Sequence, residues 1–415
     1  MLKLELKRLL KTRSTWWLTV IALALCVFYI YAATHSGLLY QYVDENDEWA
    51  HALSLDGYQM KKESLEHLTG EITPEFISRT VASYHELLAR YGSTINAPNR
   101  EVEEVVSRYG PVWDWVYWSF TDPETGAPLP AEEISPEKAM DFYSERLHSL
   151  EMMLGGTYAA KGAPQVVDYA MARADNGKGN FYYSYGIGST SAADHLGALA
   201  AALALICAVI AAPVFSADYQ SGADDILRCT RKGRRQLGLT KLCATLIICL
   251  GLFLLCEGIF MVAMAVAFGL GDHTSGELLE LLYNPDGLTA MGIIGLVLLQ
   301  SFLTCLAMTG FTLFLSSRFH NSVAALSVAA AVGLMPTVMR MVALVGNLPD
   351  WIKCCIPSGG VSLDGAMSYA LRALRFVWIG DFVIWTPHVM LVASAVQIPI
   401  WLVLALVTYT RHQAA

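Results

Sequence analysis

Charge is scarce in this sequence. Only 16% of its 415 residues are Asp, Glu, Lys or Arg, against about 25% in soluble globular chains. Hydrophobic residues make up 54% and the mean hydropathy is +0.42. So large an apolar excess excludes a protein dissolved wholly in water. Cysteine is missing from one long stretch: Cys26, Cys207, Cys229, Cys243, Cys249, Cys256, Cys305, Cys354 and Cys355 all lie outside residues 36–191. A secreted domain stapled by disulfides would carry its cysteines there, so this stretch must be held by its own core. No metal-ligand spacing occurs among the cysteines, and the adjacent Cys354 and Cys355 are either reduced thiols or a vicinal disulfide. A Walker A signature is also absent. Around Asn176-Gly177-Lys178-Gly179 both the earlier glycine and the following hydroxyl are missing, so the chain itself is not expected to bind and hydrolyse a nucleotide. His85-Glu86 begins like a zinc-protease helix, but position 89 is Ala, and there is no GxSxG elbow. His51, His67, His85 and His148 are scattered and suit surface positions better than a metal site. No catalytic residue, metal ligand or bound cofactor is expected of this chain.

Long apolar runs are what the sequence has. Six stretches reach the roughly 20 residues that cross about 30 Å of hydrocarbon: Thr15–Ala33, Leu196–Phe215, Leu242–Leu270, Leu288–Leu315, Val323–Val345 and Val389–Tyr409. The first is too long for a cleaved signal peptide, and no small-residue cleavage site follows it. The expected fold is an all-α polytopic membrane protein. Between the first two spans lies a polar island, residues 36–191, which holds 24 of the 37 acids and 11 of the 28 Lys and Arg; that concentration marks a separate acidic domain.

Lys and Arg near span ends set orientation. Lys3, Lys7, Arg8, Lys11 and Arg13 precede the first span; Arg228, Arg231, Lys232, Arg234, Arg235 and Lys241 lie between the second and third. Arg318 and His320 lie between the fourth and fifth, and Arg411 follows the sixth. All fall on one side of a six-span alternation, while Asp272, Glu277, Glu280 and Asp286 fall on the other. Both termini are therefore expected in the cytoplasm and the island outside a bacterial plasma membrane. Lys353, Arg372 and Arg375 fall outside, against the trend. The one dense basic run is short and sits between apolar spans, which argues against a nucleic-acid partner.

Residues 1–14 place Leu2, Leu6, Leu9 and Leu10 at helical spacing among basic positions, the pattern of an amphipathic helix lying along an anionic lipid surface or of a plain topology signal. In the island, apolar spacing predicts helices over Asp44–Leu68, Pro74–Tyr91, Pro136–Leu154 and Pro164–Ala174. Trp113, Trp115, Tyr117, Trp118 and Phe120 can form its core, rest on the membrane interface or line a ligand groove. A second outer segment, Asn347–His388, is expected to carry an interfacial helix near Asp364–Phe376.

The loop after the second span is the most informative stretch. Asp218, Tyr219, Gly222, Asp224 and Asp225 form an acid-rich turn; Ile226 and Leu227 open a short helical segment; Thr230, Arg231, Arg234, Arg235 and Lys241 form a basic end. Such a loop offers both charge signs to a cytoplasmic partner. The pattern acid-Tyr-x-x-Gly, short helix, Thr-x-x-x-Arg-Arg and later Lys resembles the first cytoplasmic loop of ABC transporter permeases of the ABC-2 type. Where that family often has Glu, Asp218 keeps the charge. Leu-Lys-Arg-Leu-Leu-Lys-x-Arg-Ser before Trp16-Trp17 is similar to the family's elbow helix. Leu315-Ser316-Ser317-Arg318 is similar to its turn between spans four and five. The resemblance covers the six-span frame and not the island. It implies a permease subunit that pairs with a second permease subunit and docks on a separate ATP-binding subunit, where ATP and Mg would bind. It also implies that closure of the motor pushes on Asp218–Arg235 and on the elbow helix, rocking the spans and opening a path outward.

Two charges interrupt the spans. Glu257 lies 15 residues beyond Leu242 and Arg340 lies 17 beyond Val323, roughly 22 and 26 Å up their helices. Either they pair, or Arg340 snorkels to the headgroups and leaves Glu257 neutral. Two functions fit the whole pattern: a permease of an ATP-driven exporter, or a membrane-anchored sensor or scaffold whose outer domain binds a partner without transport.

Overall fold

The computed structural model describes residues 1–174, 179–189, 191–222, 235–279, 283–363 and 365–411. Six helices among them are long and apolar enough to cross a bilayer, which makes the chain an all-α, multi-pass membrane protein. It opens with α1 (Leu2–Lys11), then α2 (Arg13–Leu38), the first span. Thr12, extended at ψ 125°, separates the two, so Arg13 begins the span instead of ending the elbow helix.

The polar insert starts with a hairpin of β1 (Tyr40–Val43) and β2 (Trp49–Ala52). A helix over Asp44–Leu68 is therefore realised only from α3 (Leu55–Leu65) onward. The Asp44 carboxylate explains the difference: Oδ1 accepts the backbone N–H groups of Asn46 and Glu48, each at 2.9 Å. That side-chain turn competes with helix, and Asp47 at φ 61° completes it. Next come β3 (Gly70–Ile72), α4 (Pro74–Tyr91), α5 (Asn99–Val105) and α6 (Gly110–Ser119). The α4 boundaries are those the sequence predicts, with the Thr73 hydroxyl capping Phe76 N–H and Gly92 closing the end at φ 76°. The helix expected over Pro136–Leu154 is two, α7 (Pro136–Ala139) and α8 (Phe142–Thr157), broken at Met140-Asp141. The insert ends with α9 (Pro164–Ala174) and β4 (Phe181–Tyr183), which pairs with β3. Its core is apolar and free of cysteine: Ile72, Ile77, Val81, Val112, Val116, Phe120 and Phe142 are buried together. The aromatic cluster on α6 splits between roles, with Trp115 buried and Tyr117 and Trp118 exposed.

The chain then returns through α10 (Ala192–Ala211) and α11 (Pro213–Ser221), one span bent at Pro213. The remaining spans are α12 (Arg235–Phe268), α13 (Ala290–Arg318), α14 (Ser322–Met341) and, after an outer segment, the last helix. That segment holds α15 (Asn347–Cys355), α16 (Ala366–Arg372) and a hairpin of β5 (Phe376–Ile379) and β6 (Phe382–Trp385), leading into α17 (Thr386–Arg411). Helix forms over only part of the range expected near Asp364–Phe376. Cys354 and Cys355 are free thiols.

In the α10–α11 span, 78% of the most apolar window is buried, against 17% in α2; the first is the hub and the second the rim. Alanine-rich α10 lets its neighbours approach closely, as small residues do between helices in lipid. The rim helix exposes Trp16, Trp17, Ile21, Val27 and Phe28, surface that lipid covers at no cost. Side by side, α13 and α17 are tied by Gln300, whose Nε2 donates to Thr304 Oγ1 at 3.0 Å and Ser394 Oγ at 2.9 Å.

The insert is bolted to the spans and not merely tethered. Leu278, from the α12–α13 connection, completes its core, and its carbonyl accepts from Trp115 Nε1 at 3.0 Å. Tyr58 OH donates to the carbonyl of Phe268 at 3.0 Å, and Tyr158 OH to that of Leu374 at 2.9 Å. Buried Asp272 accepts from Gly188 N–H at 2.7 Å. At Gly188 an added Cβ would sit 2.2 Å from Ala290 Cβ. Gly188→Ala is therefore expected to lower stability by about 1–3 kcal/mol, the usual range for overpacking. Gly155→Ala, in α8 with open space around it, should leave stability unchanged or raise it by up to about 1 kcal/mol. Thermal unfolding of both variants in detergent checks the contrast.

Candidate functional site

The ends of α1, α11, α12, α13 and α17 meet at the face that carries the termini. Pro213 starts this arrangement. It bends the second span and leaves the first N–H groups of α11 without partners in their own helix. The Ser316 hydroxyl near the end of α13 takes two of them, Phe215 N–H at 3.0 Å and Ser216 N–H at 3.2 Å. Thus fixed, α11 presents Asp218 and Tyr219 on a helix. Both were expected in a turn; only Gly222 lies at the turn, capping α11 at φ 67°.

Asp218 is the hub of the face. Its Oδ2 receives Lys241 Nζ from α12, and its Oδ1 lies 3.7 Å from Arg8 Nη1 of α1. Lys241 also donates to the Val214 carbonyl at 3.1 Å. Lys241 is 1% exposed and Asp218 7%, so this ion pair is shielded from water. Arg8 is held in turn by Glu5 at 2.8 Å. Leu6 and Leu9 of α1 pack with Val214, Phe215, Leu242 and Tyr409, whereas Leu2 and Leu10 stay exposed; only half of the leucine stripe docks on the protein. Lys3, Lys7, Lys11, Arg13 and Arg235 are exposed. Tyr219 OH donates to the Ser317 carbonyl at 3.3 Å, and Gln220 Nε2 to Asn321 Oδ1 at 3.2 Å. Asp224, Asp225, Thr230, Arg231 and Arg234 lie outside the described residues.

A sequence reading singles out Asp218, Lys241 and Arg8 but not their convergence. Ser316 it picks out only within a motif. Sidedness was the usable clue: all four residues fall at span ends on the same side.

A second polar centre lies where the insert meets the spans. A cavity of about 330 Å³ opens there between α6, α8 and the start of α10. Asp194, in the first turn of α10, is ion-paired with Arg372 and accepts from the Ser368 hydroxyl. Arg146 is buried, with its guanidinium 4.6 Å from the Phe181 ring centre and Nη2 donating to the Glu277 carbonyl at 3.2 Å. Burial pulls Arg146 down to about 10, with the Glu277 carboxylate opposing the shift. Neither Asp194 nor Arg146 stands out in sequence, since each is a single charge in an ordinary helical context.

Glu257 and Arg340 do not pair. Arg340 stacks over the Tyr369 ring at 3.8 Å, at the insert-bearing end of α14. The Glu257 carboxylate is buried with neither oxygen hydrogen-bonded among the described residues. Equal depth on two helices does not bring side chains together when the helices face different neighbours.

Removing one partner of a buried pair leaves the other charge uncompensated, at a cost of about 3–5 kcal/mol. Asp218→Asn is expected to destabilise by roughly that amount, and Asp218→Asn with Lys241→Met by clearly less. Equal losses in single and double variants, measured by thermal unfolding in detergent, would show that the pair is not coupled. Comparison with protein-family models, with curated proteins and with solved structures finds no match to this chain.

Proposed function

We propose that this chain is the membrane-spanning permease subunit of an ATP-driven transporter, working as an exporter with a separate ATP-binding subunit. The observation that carries this reading is the Asp218 hub. It joins α1, α11 and α12 through a shielded charge cluster at the face bearing the termini, and a protein that only anchors an outer domain has no need of it. The resemblance of the Asp218–Lys241 segment and of the N-terminal helix to ABC-2-type permeases supports the same reading. In it, ATP and Mg bind to the partner, and a second permease subunit completes the pathway.

The Lys and Arg distribution supports placing both termini in the cytoplasm and residues 36–191 outside a bacterial plasma membrane. Motor closure would then act on the α11–α12 connection and on α1. Because Lys241 and Asp218 fix these elements to one another, a push on either moves both.

Coexpression with the ATP-binding subunit encoded beside it is expected to yield a stable complex whose ATPase rate responds to the permease. Arg234→Ala with Arg235→Ala should weaken that complex about tenfold while leaving thermal unfolding of the permease unchanged. Failure to form any complex, or a complex indifferent to this change, would overturn the reading in favour of a sensor or scaffold.

A further inference from the structure

Lys353 and Arg375 stand on the insert-bearing side, against the bias of Lys and Arg toward the other, and the permease reading gives them no task. They converge with Arg340 on a cavity of about 290 Å³ between α14, α15 and α16. Asp350 sits between two of them, with Oδ1 3.4 Å from Lys353 Nζ and Oδ2 3.4 Å from Arg375 Nη1. Lys353 also donates to the Leu344 carbonyl at 2.6 Å, and the Arg340 guanidinium carbon lies 3.8 Å from the Tyr369 ring centre. Among the described residues, the cavity thus gathers three cations and one carboxylate.

Depth identifies the level. Helix α14 has 20 residues, about 30 Å at 1.5 Å each, which places Arg340 at the hydrocarbon edge on the insert-bearing side. The rim is apolar. Met341, Val342, Leu344, Val345 and Leu348 are all exposed, and Ala343 is held at φ 50°, a left-handed backbone unusual for a residue other than glycine. Strain of this kind gathers at ligand sites. A second cavity, of about 420 Å³, shares Val345 and Arg375 and adds Lys161 and Arg372.

A cationic pocket at headgroup depth, opening onto exposed apolar side chains, matches one ligand chemistry. We propose that this cavity binds an anionic, phosphate-bearing amphiphile from the insert-bearing leaflet. The phosphate lies against Arg340 and Lys353, and the tails run along the exposed residues of 341–348. Arginine suits the task because its planar fork meets phosphate oxygens two at a time. The site belongs to this chain alone and needs no motor.

The test uses the full chain, purified without partner and stripped of lipid, with binding followed by native mass spectrometry. Phosphatidylglycerol is expected to bind at least tenfold more tightly than phosphatidylcholine of the same tails. Inorganic phosphate should compete at least a hundredfold less well than the lipid. Arg340→Gln with Lys353→Gln should lose about tenfold in phosphatidylglycerol affinity, and Arg340→Lys with Lys353→Arg should recover most of it. Ala366→Glu keeps all three cations and sets a carboxylate at the cavity wall, so it should weaken binding even if the double variant fails to fold. Equal affinity for the two lipids, competition by phosphate at lipid-like concentrations, or undiminished binding by Ala366→Glu would each overturn the proposal.

Discussion

The shielded pair of Asp218 and Lys241 governs the face that carries the termini. Two opposite charges away from water tolerate each other only with close geometry and further hydrogen bonds. Lys241 meets that demand through the Val214 carbonyl as well as Asp218, and Asp218 through Arg8 as well as Lys241. The demand reaches farther than the two residues. Asp218 can be in place only if α11 leaves the second span at the Pro213 bend, and that bend is tolerable only because Ser316 accepts the N–H groups it frees. Arg8 can reach Asp218 only if α1 docks through Leu6 and Leu9. One ion pair therefore sets the relation of four helices.

A different constraint rules the insert. Without disulfides it relies on apolar packing, and part of that packing comes from outside its own stretch of chain. Leu278 belongs to the connection between two spans yet is buried with Trp115 and Phe142. Asp272 belongs to the same connection, and its carboxylate holds Gly188 and Thr274 N–H groups. The insert and the spans are thus one folding problem, and neither half is complete without the other.

The spans were plainly legible, because a bilayer imposes a length and an apolar composition that few other structures share. Helices with strong termini were legible too: α4 carries Thr73-Pro74 at its start and Gly92 at its end. The β1–β2 hairpin was hidden because the acids of 44–48 look like helix surface, and only the side-chain turn at Asp44 reveals otherwise. The β5–β6 hairpin has a readable signal in Gly380-Asp381 between two apolar runs. At the candidate site, the charged members Asp218, Lys241 and Arg8 could be named, whereas their meeting point could not. Arg8 and Ser316 stand far from α11 in sequence, and contacts of that kind leave no local trace.

The third span has a mechanical property that neither of its ends suggests alone. A single unbroken helix, α12, carries Lys241 near one end and, at Phe268, the carbonyl that receives Tyr58 of the insert. The two points lie about 40 Å apart along its axis. A rod of that length acts as a lever: a tilt of about 5° around its middle swings each end by about 2 Å, enough to break a hydrogen bond of ordinary length. Any rocking of the cluster at the face that carries the termini is thereby geared directly to the seat of the insert, with no flexible joint in the described residues of that rod to absorb it.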